Sequence, residues 1–139
     1  MRMRPTTIVL ALLALATLVG CGPSALDLHP VSGTVTFDGQ PIPEGRIQFR
    51  AVEGDERAFS APIQNGKYEL EALAGRMTVE IRASRIIPGE FDESNPDEKV
   101  PKGEMYIPAR YNTETELTAE VPAGGNRQLD FALTSDEEE

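Results

Sequence analysis

Residue types on which catalytic and metal sites often depend are scarce in this chain. Its 139 residues contain one cysteine (Cys21), one histidine (His29) and no tryptophan. A single cysteine excludes an intramolecular disulfide, so stability has to come from burial of a core. The same count excludes a redox pair or a metal centre built on several cysteines.

An apolar run long enough to cross a bilayer is also missing. The run from Ile8 to Val19 follows a basic start that holds Arg2 and Arg4. A spanning helix needs about 20 apolar residues, and this run is too short. The layout therefore predicts a secretory signal peptide over residues 1–20.

The end of that run, Leu18-Val19-Gly20-Cys21, resembles the lipobox of bacterial lipoproteins. The resemblance implies cleavage before Cys21, a diacylglyceryl group on its thiol and acylation of the new amino group. It also implies a membrane-anchored lipoprotein of a bacterial cell envelope. Gly22 stands where an Asp commonly signals retention in the inner membrane, so the outer membrane is favoured. The alternative is an ordinary signal peptide with an accidental cysteine.

Basic residues are few, with 13 Lys and Arg against 23 Asp and Glu and a net charge of −10. Loss of Arg2 and Arg4 with the signal peptide leaves 11 basic against 23 acidic residues, a net charge of −12. Such a surface repels nucleic acid, which is therefore excluded as a partner, and has no polybasic attraction to lipid. Membrane attachment then depends on acyl chains at Cys21, where each buried methylene contributes ~0.8 kcal/mol.

Residues 21–30 lack a repeating apolar pattern and are expected to form a lipidated tether. His29 lies in this tether without an orienting partner or a pocket, so we expect no catalytic role for it. Beyond the tether, short segments alternate between apolar and polar residues, most regularly at Val31–Phe37 and Met77–Ala83. Such alternation is typical of half-buried strands, and we place Met77–Ala83 at the centre of the fold.

Six or seven such segments, separated by turn signals and without a helical period, predict an all-β fold. We expect an antiparallel seven-strand-type β-sandwich over residues 31–133, followed by an acidic tail at 134–139. Asn65-Gly66 is a strong hairpin signal, because both residues tolerate positive φ. Pro62 cannot donate to a ladder, which confines the segment Phe59–Ile63 to an edge.

Residues 86–106 interrupt the alternation with three prolines, Pro88, Pro96 and Pro101. From 90 to 104 there are six acids and two lysines, a net charge of −4. We expect a long, exposed and mobile acidic loop without helix or long strand, because unpaired carboxylates are costly to bury. Such a loop would contribute little to stability and would be open to a partner.

Several segments together resemble the carboxypeptidase-regulatory-like modules, which are transthyretin-like sandwiches of about seven strands. They are Val31-Ser-Gly-Thr-Val35, Asp38-Gly39-Gln-Pro41, Gly66-Lys-Tyr68-Glu-Leu70 and Gly75-Arg-Met-Thr-Val79. Ile107-Pro108-Ala-Arg-Tyr111-Asn112 and Leu129-Asp-Phe131-Ala-Leu133 further resemble small bacterial lipoproteins built on that module. These motifs are turn and core positions, so the resemblance implies a fold more than a chemistry. Met77 departs from the aromatic that the module usually has, but its flexible thioether can fill the same space.

Signals for catalysis are absent from the sequence. There is no Gly-x-Ser-x-Gly or Ser-x-x-Lys motif and no histidine within residues 31–133, so a hydrolase is only a distant alternative. The strand acids Glu69, Glu80 and Glu120 occupy outward alternating positions, which indicates a solvated face rather than a glycosidase pair.

Two groups remain as candidates for binding. Asp92, Glu93 and Asp97 are weak candidates for calcium, but their spacing does not fit an EF-hand, and we expect a solvated loop with no metal or cofactor. Tyr106, Arg110 and Tyr111 are candidate contacts for a ligand or partner, since exposed tyrosines beside an arginine can stack on a sugar or anchor a protein. The alternative, which we favour, is that both rings cover the edge of the sandwich.

These observations favour a non-enzymatic, lipid-anchored β-sandwich that serves as an interaction or structural module of the envelope. Its partner would be an envelope protein or a glycan. The alternative function is a carbohydrate-binding module for envelope or environmental glycans.

Overall fold

A computed structural model describes residue 22, residues 25–54 and residues 56–136. The predicted signal peptide and lipidated Cys21 lie outside these residues. Within them the chain forms one 3₁₀ turn, at Ala109–Tyr111, and ten strands: β1 Leu28–Phe37, β2 Gln40–Pro41, β3 Glu44–Ala51, β4 Ala58–Gln64, β5 Lys67–Leu73, β6 Gly75–Arg82, β7 Ser84–Asp92, β8 Val100–Met105, β9 Thr118–Val121 and β10 Phe131–Leu133. No helix in this described part is long and apolar enough to cross a membrane.

Eight of these strands form one curled sheet, and its two halves enclose the core. One half has the order β4-β3-β6-β9, and the other has the order β5-β1-β10 with the short β2 beside β1. The ladder between β4 and β5 consists of the pair Gln64 and Lys67, which flank the turn at Asn65 and Gly66. Both turn residues have positive φ, 51° and 74°, as expected for this hairpin. The prediction of an all-β sandwich is confirmed.

The core lies between the two halves and follows the alternation of the sequence. β6 lies between β3 and β9, as expected for the central strand, and Val79 and Ile81 on its inner face are fully buried. The ring of Phe49 reaches across to the rings of Tyr68 at 6.1 Å and Phe131 at 6.2 Å between centroids. Burial of each large aliphatic side chain contributes roughly 1.5–3 kcal/mol, so the interior supplies the stability that a disulfide does not.

The edge position predicted for the segment around Pro62 is only partly correct. β4 pairs with β3 along its whole length, but it meets β5 at Gln64 alone. Pro62 therefore has a strand on one side, which suits a residue that cannot donate a backbone hydrogen bond.

The tether predicted over 21–30 is too long, because β1 begins at Leu28. Leu28, His29 and Pro30 pair with the end of β5, where Leu28 lies opposite Leu73. The His29 Nδ1 atom accepts a hydrogen bond from the Gly124 N–H at 3.1 Å. Backbone pairing with β5 extends the strand, and such pairing needs no apolar side-chain pattern at these positions.

Two further features differ from the sequence prediction. β10 runs parallel to β1, with Val35 opposite Phe131, whereas the other strand ladders described are antiparallel. The start of the predicted acidic tail is also attached to the domain, since Thr134 and Asp136 accept hydrogen bonds from Arg110 through their carbonyl oxygens. A short strand on an existing edge and a tail held by backbone carbonyls leave little periodic signal in a sequence.

The start of β1 and the β7–β8 hairpin lie at opposite ends of the sandwich. Leu28 pairs with Leu73 at one end, and β6 starts at that end with Gly75. β6 then runs to the other end, where Arg82 pairs with Arg46 and the chain enters β7. The hairpin is therefore placed about one strand length away from the amino-terminal end of the domain.

Candidate functional site

The segment predicted as an acidic loop at 86–106 is a two-stranded antiparallel hairpin. β7 and β8 pair at both ends of their ladder, and the register shifts between Ile86 and Phe91. Gly89, with φ of 80°, lies within this irregularity. The prediction of no helix in this segment is confirmed, but the prediction of no long strand was wrong, because β7 spans nine residues. Pro88 falls within the irregularity, and a two-stranded ribbon has free outer edges that tolerate proline. The prediction of exposure is confirmed for β7 and β8, apart from the half-buried Ile87.

One face of the hairpin is apolar. Residues directly opposite each other in an antiparallel ladder share a face, as do residues two apart along a strand. By this rule one face carries Ser84, Gly103 and four apolar side chains: Ile86, Phe91, Pro101 and Met105. The exposed fractions are 65% for Ile86, 46% for Phe91 and 44% for Met105. Three large apolar side chains thus share one solvent-facing surface, which single scattered apolar residues do not produce.

The opposite face of the hairpin carries its ion pairs. Arg85 lies 3.3 Å from Glu104, and Lys102 lies 3.2 Å from Glu90. Both pairs are exposed, and pairs of this kind contribute roughly 0–1 kcal/mol each. The hairpin is therefore amphipathic, since these four charged side chains lie on the face opposite Ile86 and Met105. The separation is not complete, because Val100 shares the charged face and the Lys99 ammonium lies 5.9 Å from the centroid of the Phe91 ring.

The predicted calcium candidates lie at the tip of this hairpin and are not brought together as a metal site. No group of three or more His, Cys, Asp or Glu side chains suited to a metal occurs within the described residues. Asp92 instead accepts hydrogen bonds from the hydroxyl and the N–H of Ser94, and these bonds lower the pKa of its carboxyl. Asp97 donates its N–H to the Asn95 side-chain oxygen at 3.3 Å. The acids shape the turn through local contacts.

Tyr106 follows β8 and joins the hairpin to the sandwich. Its ring packs edge-on against Phe37 at 5.5 Å between centroids, and the Arg85 guanidinium lies 5.7 Å from the ring centroid. Partial burial raises the pKa of the Tyr106 hydroxyl, although the charge of Arg85 opposes this shift. The ring covers the edge of the core, as in the reading that the sequence favoured.

Arg110 and Tyr111 hold the carboxyl-terminal end of the described chain. The Arg110 guanidinium donates to the Thr134 carbonyl at 2.6 Å and to the Asp136 carbonyl, and it lies 4.8 Å from the centroid of the Tyr111 ring. The Tyr111 hydroxyl accepts from the Thr134 N–H at 3.2 Å. Burial raises the pKa of Tyr111, but the hydrogen bonds from Thr134 and Arg110 outweigh it and leave the pKa lowered. The polar atoms of both side chains are thus engaged within the domain.

Asn112 is a structural residue that the sequence analysis missed. Its side chain is 1% exposed, and its Nδ2 atom donates to the carbonyls of Ile81, Ile107 and Pro108. Thr115 acts beside it, because its hydroxyl donates to the Val79 carbonyl at 2.7 Å. The two side chains fasten the segment after the hairpin to β6. Asparagine and threonine side chains can bond to backbone carbonyls, but these residues follow no periodic pattern in the sequence. The sequence therefore could not show that Asn112 and Thr115 contact β6.

A second surface feature is a polar groove on the outer side of β1 and β5. This groove of about 1060 Å³ is lined mainly by polar and charged side chains, among them Ser32, Thr34, Lys67, Glu69, Arg127 and Asp130. Tyr68 borders it but is only 4% exposed, and its hydroxyl donates to the Leu129 carbonyl at 2.6 Å. Burial, and then the nearby Asp130 carboxylate, raise the pKa of Tyr68 well above its usual value. The groove therefore offers no open aromatic face on which a sugar ring could stack.

The described residues define a small β-sandwich that carries an exposed amphipathic hairpin at one end. No family model matches the chain, and no curated protein matches it. Among solved structures, one match is the crystal structure of a 9R-lipoxygenase from Cyanothece PCC8801, with 13% identity and a TM-score of 0.39. The match covers 78% of this chain and 16% of that chain. A likeness at this level carries no argument about fold or function.

Proposed function

We propose that the protein is a lipid-anchored module of a bacterial cell envelope whose β-sandwich presents an interaction surface, and that it is not an enzyme. Cys21 would hold the chain in the membrane, with the outer membrane favoured by Gly22. The observation that carries the proposal is the exposed apolar face of Ile86, Phe91 and Met105. Contiguous exposed apolar surface is uncommon on soluble proteins and often marks a site of contact with another protein.

The position of the hairpin supports this function. It lies at the end of the sandwich opposite Leu28, the first residue of β1. With an anchor at Cys21, the strand length of the sandwich would separate the hairpin from the anchoring bilayer. The apolar face would then be open to another protein rather than to the lipids that hold the anchor.

The chemistry of the other candidates supports binding over catalysis. Tyr106 covers the core, while Arg110 and Tyr111 are hydrogen-bonded or stacked within the domain, so the three present no sugar platform. His29 lies at the end of the sandwich away from the hairpin, where its Nδ1 atom accepts from the Gly124 N–H and its Nε2 atom lies 3.6 Å from the Asp27 carboxylate. Neither of these partners is a nucleophilic serine or cysteine. A protein partner therefore fits the arrangement better than a glycan or a hydrolysed substrate.

The anchor and the surface are tested separately. Intact mass of the membrane-extracted protein is expected to show cleavage before Cys21 plus the diacylglyceryl mass, and Cys21→Ala is expected to abolish that mass. Recovery of wild-type protein as unmodified soluble material would contradict the anchor.

For the surface, a short Gly-Ser turn replaces residues 86–103, which leaves Arg85 and Glu104 to close the shortened ribbon. The melting temperature is expected to change little, whereas recovery of the cross-linked partner from membranes is lost. Glu71→Gln, an exposed change on β5 far from the hairpin, is the matched control. Unchanged partner recovery without the hairpin would contradict this part of the proposal.

A further inference from the structure

The outer edge of β8 is a free strand edge in the described part of the chain. β7 and β8 form a sheet of their own, and β8 has a ladder with β7 on one side. Its other side presents backbone groups that can pair with a further strand. All six residues of β8 are exposed, so no part of the described domain covers that edge.

We propose that a second copy of this chain pairs with β8 in antiparallel register centred on Gly103. In that register Gly103 of one copy lies opposite Gly103 of the other, and each neighbour meets a complementary residue. Lys102 lies opposite Glu104 of the second copy, on the charged face. Pro101 lies opposite Met105 of the second copy, on the apolar face. This inference rests on the proposed role of the hairpin in interaction and names a partner for its free edge, while the apolar face stays exposed in the pair.

Charge complementarity favours this occupant. Because of the two-fold axis, the pairing places a Lys102 ammonium opposite a Glu104 carboxylate twice. Opposite charges directly across an antiparallel strand pair are stabilising. The existing pairs, Arg85–Glu104 and Lys102–Glu90, would join the new contacts in two alternating rows of charges, related by the two-fold axis. The apolar faces of both hairpins would form one continuous surface, because a two-fold axis normal to the sheet keeps them on the same side.

A lipid bilayer is a poor partner for the hairpin compared with a second copy. The turn between β7 and β8 carries Glu93, Asp97 and Glu98, all exposed. Insertion of the apolar face would bring these carboxylates into the interface, where anionic lipids repel them. The net charge of residues 84–105 is −3, from three basic and six acidic residues. In the strand pairing the acidic turns lie at opposite ends of the four-stranded ribbon, away from each other.

The β8–β8 pairing involves few residues, so its affinity is expected to be low. Pro101 has no N–H to donate, so the backbone bonds concentrate around Gly103. A contact of this size is weak between free molecules, since stable interfaces bury about 1,200–2,000 Å². Anchoring at Cys21 would confine the copies to one membrane surface and raise their effective concentration.

A cysteine at the two-fold axis tests the register. Gly103 has no positive φ, and a Cβ at this position would meet nothing closer than 3.9 Å, so Gly103→Cys fits without strain. Directly opposite residues have Cα atoms about 4.5–5.5 Å apart, within the span of a disulfide. Pro101→Cys is the matched control, because four residues of offset separate its two copies by roughly 13 Å along the strands.

The full-length variants are produced in bacterial cells and their membranes are treated with a mild oxidant. Gly103→Cys is expected to give a disulfide-linked dimer in several-fold higher yield than Pro101→Cys, with wild-type chain as the background for Cys21. Equal yields from the two positions, or no dimer from Gly103→Cys with an unchanged melting temperature, would overturn the proposal.

Charge reversal at Lys102 and Glu104 provides a second, independent test of the register. In the Gly103→Cys background, Lys102→Glu alone and Glu104→Lys alone each place like charges across the axis, so each homodimer is expected to form in lower yield. When the two variants are co-produced with tags of different size, both cross-axis pairs become opposite in charge. The heterodimer is then expected in excess over either homodimer. A statistical mixture of dimers would overturn the register.

The failure of this inference is distinguishable from failure of the proposed function. Loss of the specific Gly103 cross-link with retained hairpin-dependent capture of a different protein would overturn self-pairing and leave the interaction function standing. A strong Gly103 cross-link in a chain that is not lipidated would support the register and contradict the anchor.

Discussion

The side chain of Asn112 donates a hydrogen bond to the main-chain carbonyl of Ile81, 31 residues earlier, at 3.3 Å. This bond joins the segment after the hairpin to the central strand of the sandwich. The same Nδ2 atom serves Ile107 and Pro108, and the Oδ1 atom accepts from the Thr113 N–H at 2.9 Å. One buried amide therefore fixes the point at which the chain returns from the hairpin to the core.

Asn112→Ala is expected to lower the free energy of unfolding by ~2–4 kcal/mol. The change removes the donor and leaves buried carbonyls without that partner, and each unsatisfied group costs about 1–3 kcal/mol. Urea unfolding followed by circular dichroism measures the effect. Thr113→Ala, at an exposed neighbouring position, is the control and is expected to change stability by less than about 0.5 kcal/mol. A neutral Asn112→Ala would show that the clamp contributes nothing.

The central strand gives a second prediction. Ile81→Ala removes a fully buried side chain from the inner face of β6 and is expected to cost ~2–5 kcal/mol. Thr78→Ala, on the outer face of the same strand, is expected to cost well under half as much. Thermal and chemical denaturation of both variants measure the difference. Equal costs on the two faces would contradict the inward orientation of Ile81.

Glycine at position 33 gives a steric prediction. A Cβ added there would lie 2.0 Å from the Leu129 carbonyl oxygen, a main-chain atom that has little freedom to move. Gly33→Ala is therefore expected to destabilise the domain by at least ~1–3 kcal/mol. Gly103→Ala, whose added Cβ has nothing closer than 3.9 Å, is the matched control. Similar melting temperatures for the two variants would contradict the close approach of residue 129 to β1.

Tyr68 gives a prediction about alkaline pH. Its pKa is raised in the folded domain by burial and by Asp130, so its contribution to stability is full below the ordinary tyrosine pKa near 10 and declines as pH rises above it. At pH 7, Tyr68→Phe is expected to cost ~1 kcal/mol through loss of the bond to Leu129. Above pH 10 the difference between wild type and variant is expected to narrow by up to ~1.4 kcal/mol per pH unit. Urea titrations at pH 7 and pH 11 test this, and a constant difference would show that Tyr68 ionises normally in the fold.

Substitutions of Arg110 and Tyr111 distinguish a structural role of these residues from a role in sugar binding. Tyr111→Phe removes the acceptor of the Thr134 N–H, so exchange of that amide hydrogen with solvent is expected to accelerate several-fold. Arg110→Ala is expected to act in the same direction, because it releases the Thr134 carbonyl. Glycan-array binding is expected to be absent in wild type and in both variants. Glycan binding that either substitution abolished would instead support the carbohydrate-binding alternative.

The sandwich itself was predictable because its core strands alternate strictly. Val79 and Ile81 are buried on one face of β6, and Glu80 between them lies on the opposite face, so the alternation of the sequence directly predicts which residues are buried. Asn65-Gly66 was equally readable, since its positive φ angles are a local requirement. Local rules therefore accounted for the central strands and the tightest turn.

The hairpin was not predictable by the same rules. An exposed ribbon buries neither face against the sandwich, so it has no need of a regular apolar period, and Pro88 and Pro101 indicated a loop. The beginning of β1 at Leu28 and the short β10 depend on backbone pairing with residues about 45 and 96 positions away, respectively. Asn112 depends on carbonyls that only the folded chain brings together. These features are set by tertiary contacts rather than by local pattern.

The parallel pairing of β1 with β10 has a consequence for the order in which the domain can be completed. β10 comes after the other nine described strands in the sequence and pairs with the first of them, so Val35 lacks its partner Phe131 until synthesis has advanced by a further 96 residues. Closure of so long a loop is slow compared with local pairing, and an unfilled edge invites association with other chains in the meantime. A protein built in this way gains from being kept extended until β10 has been released.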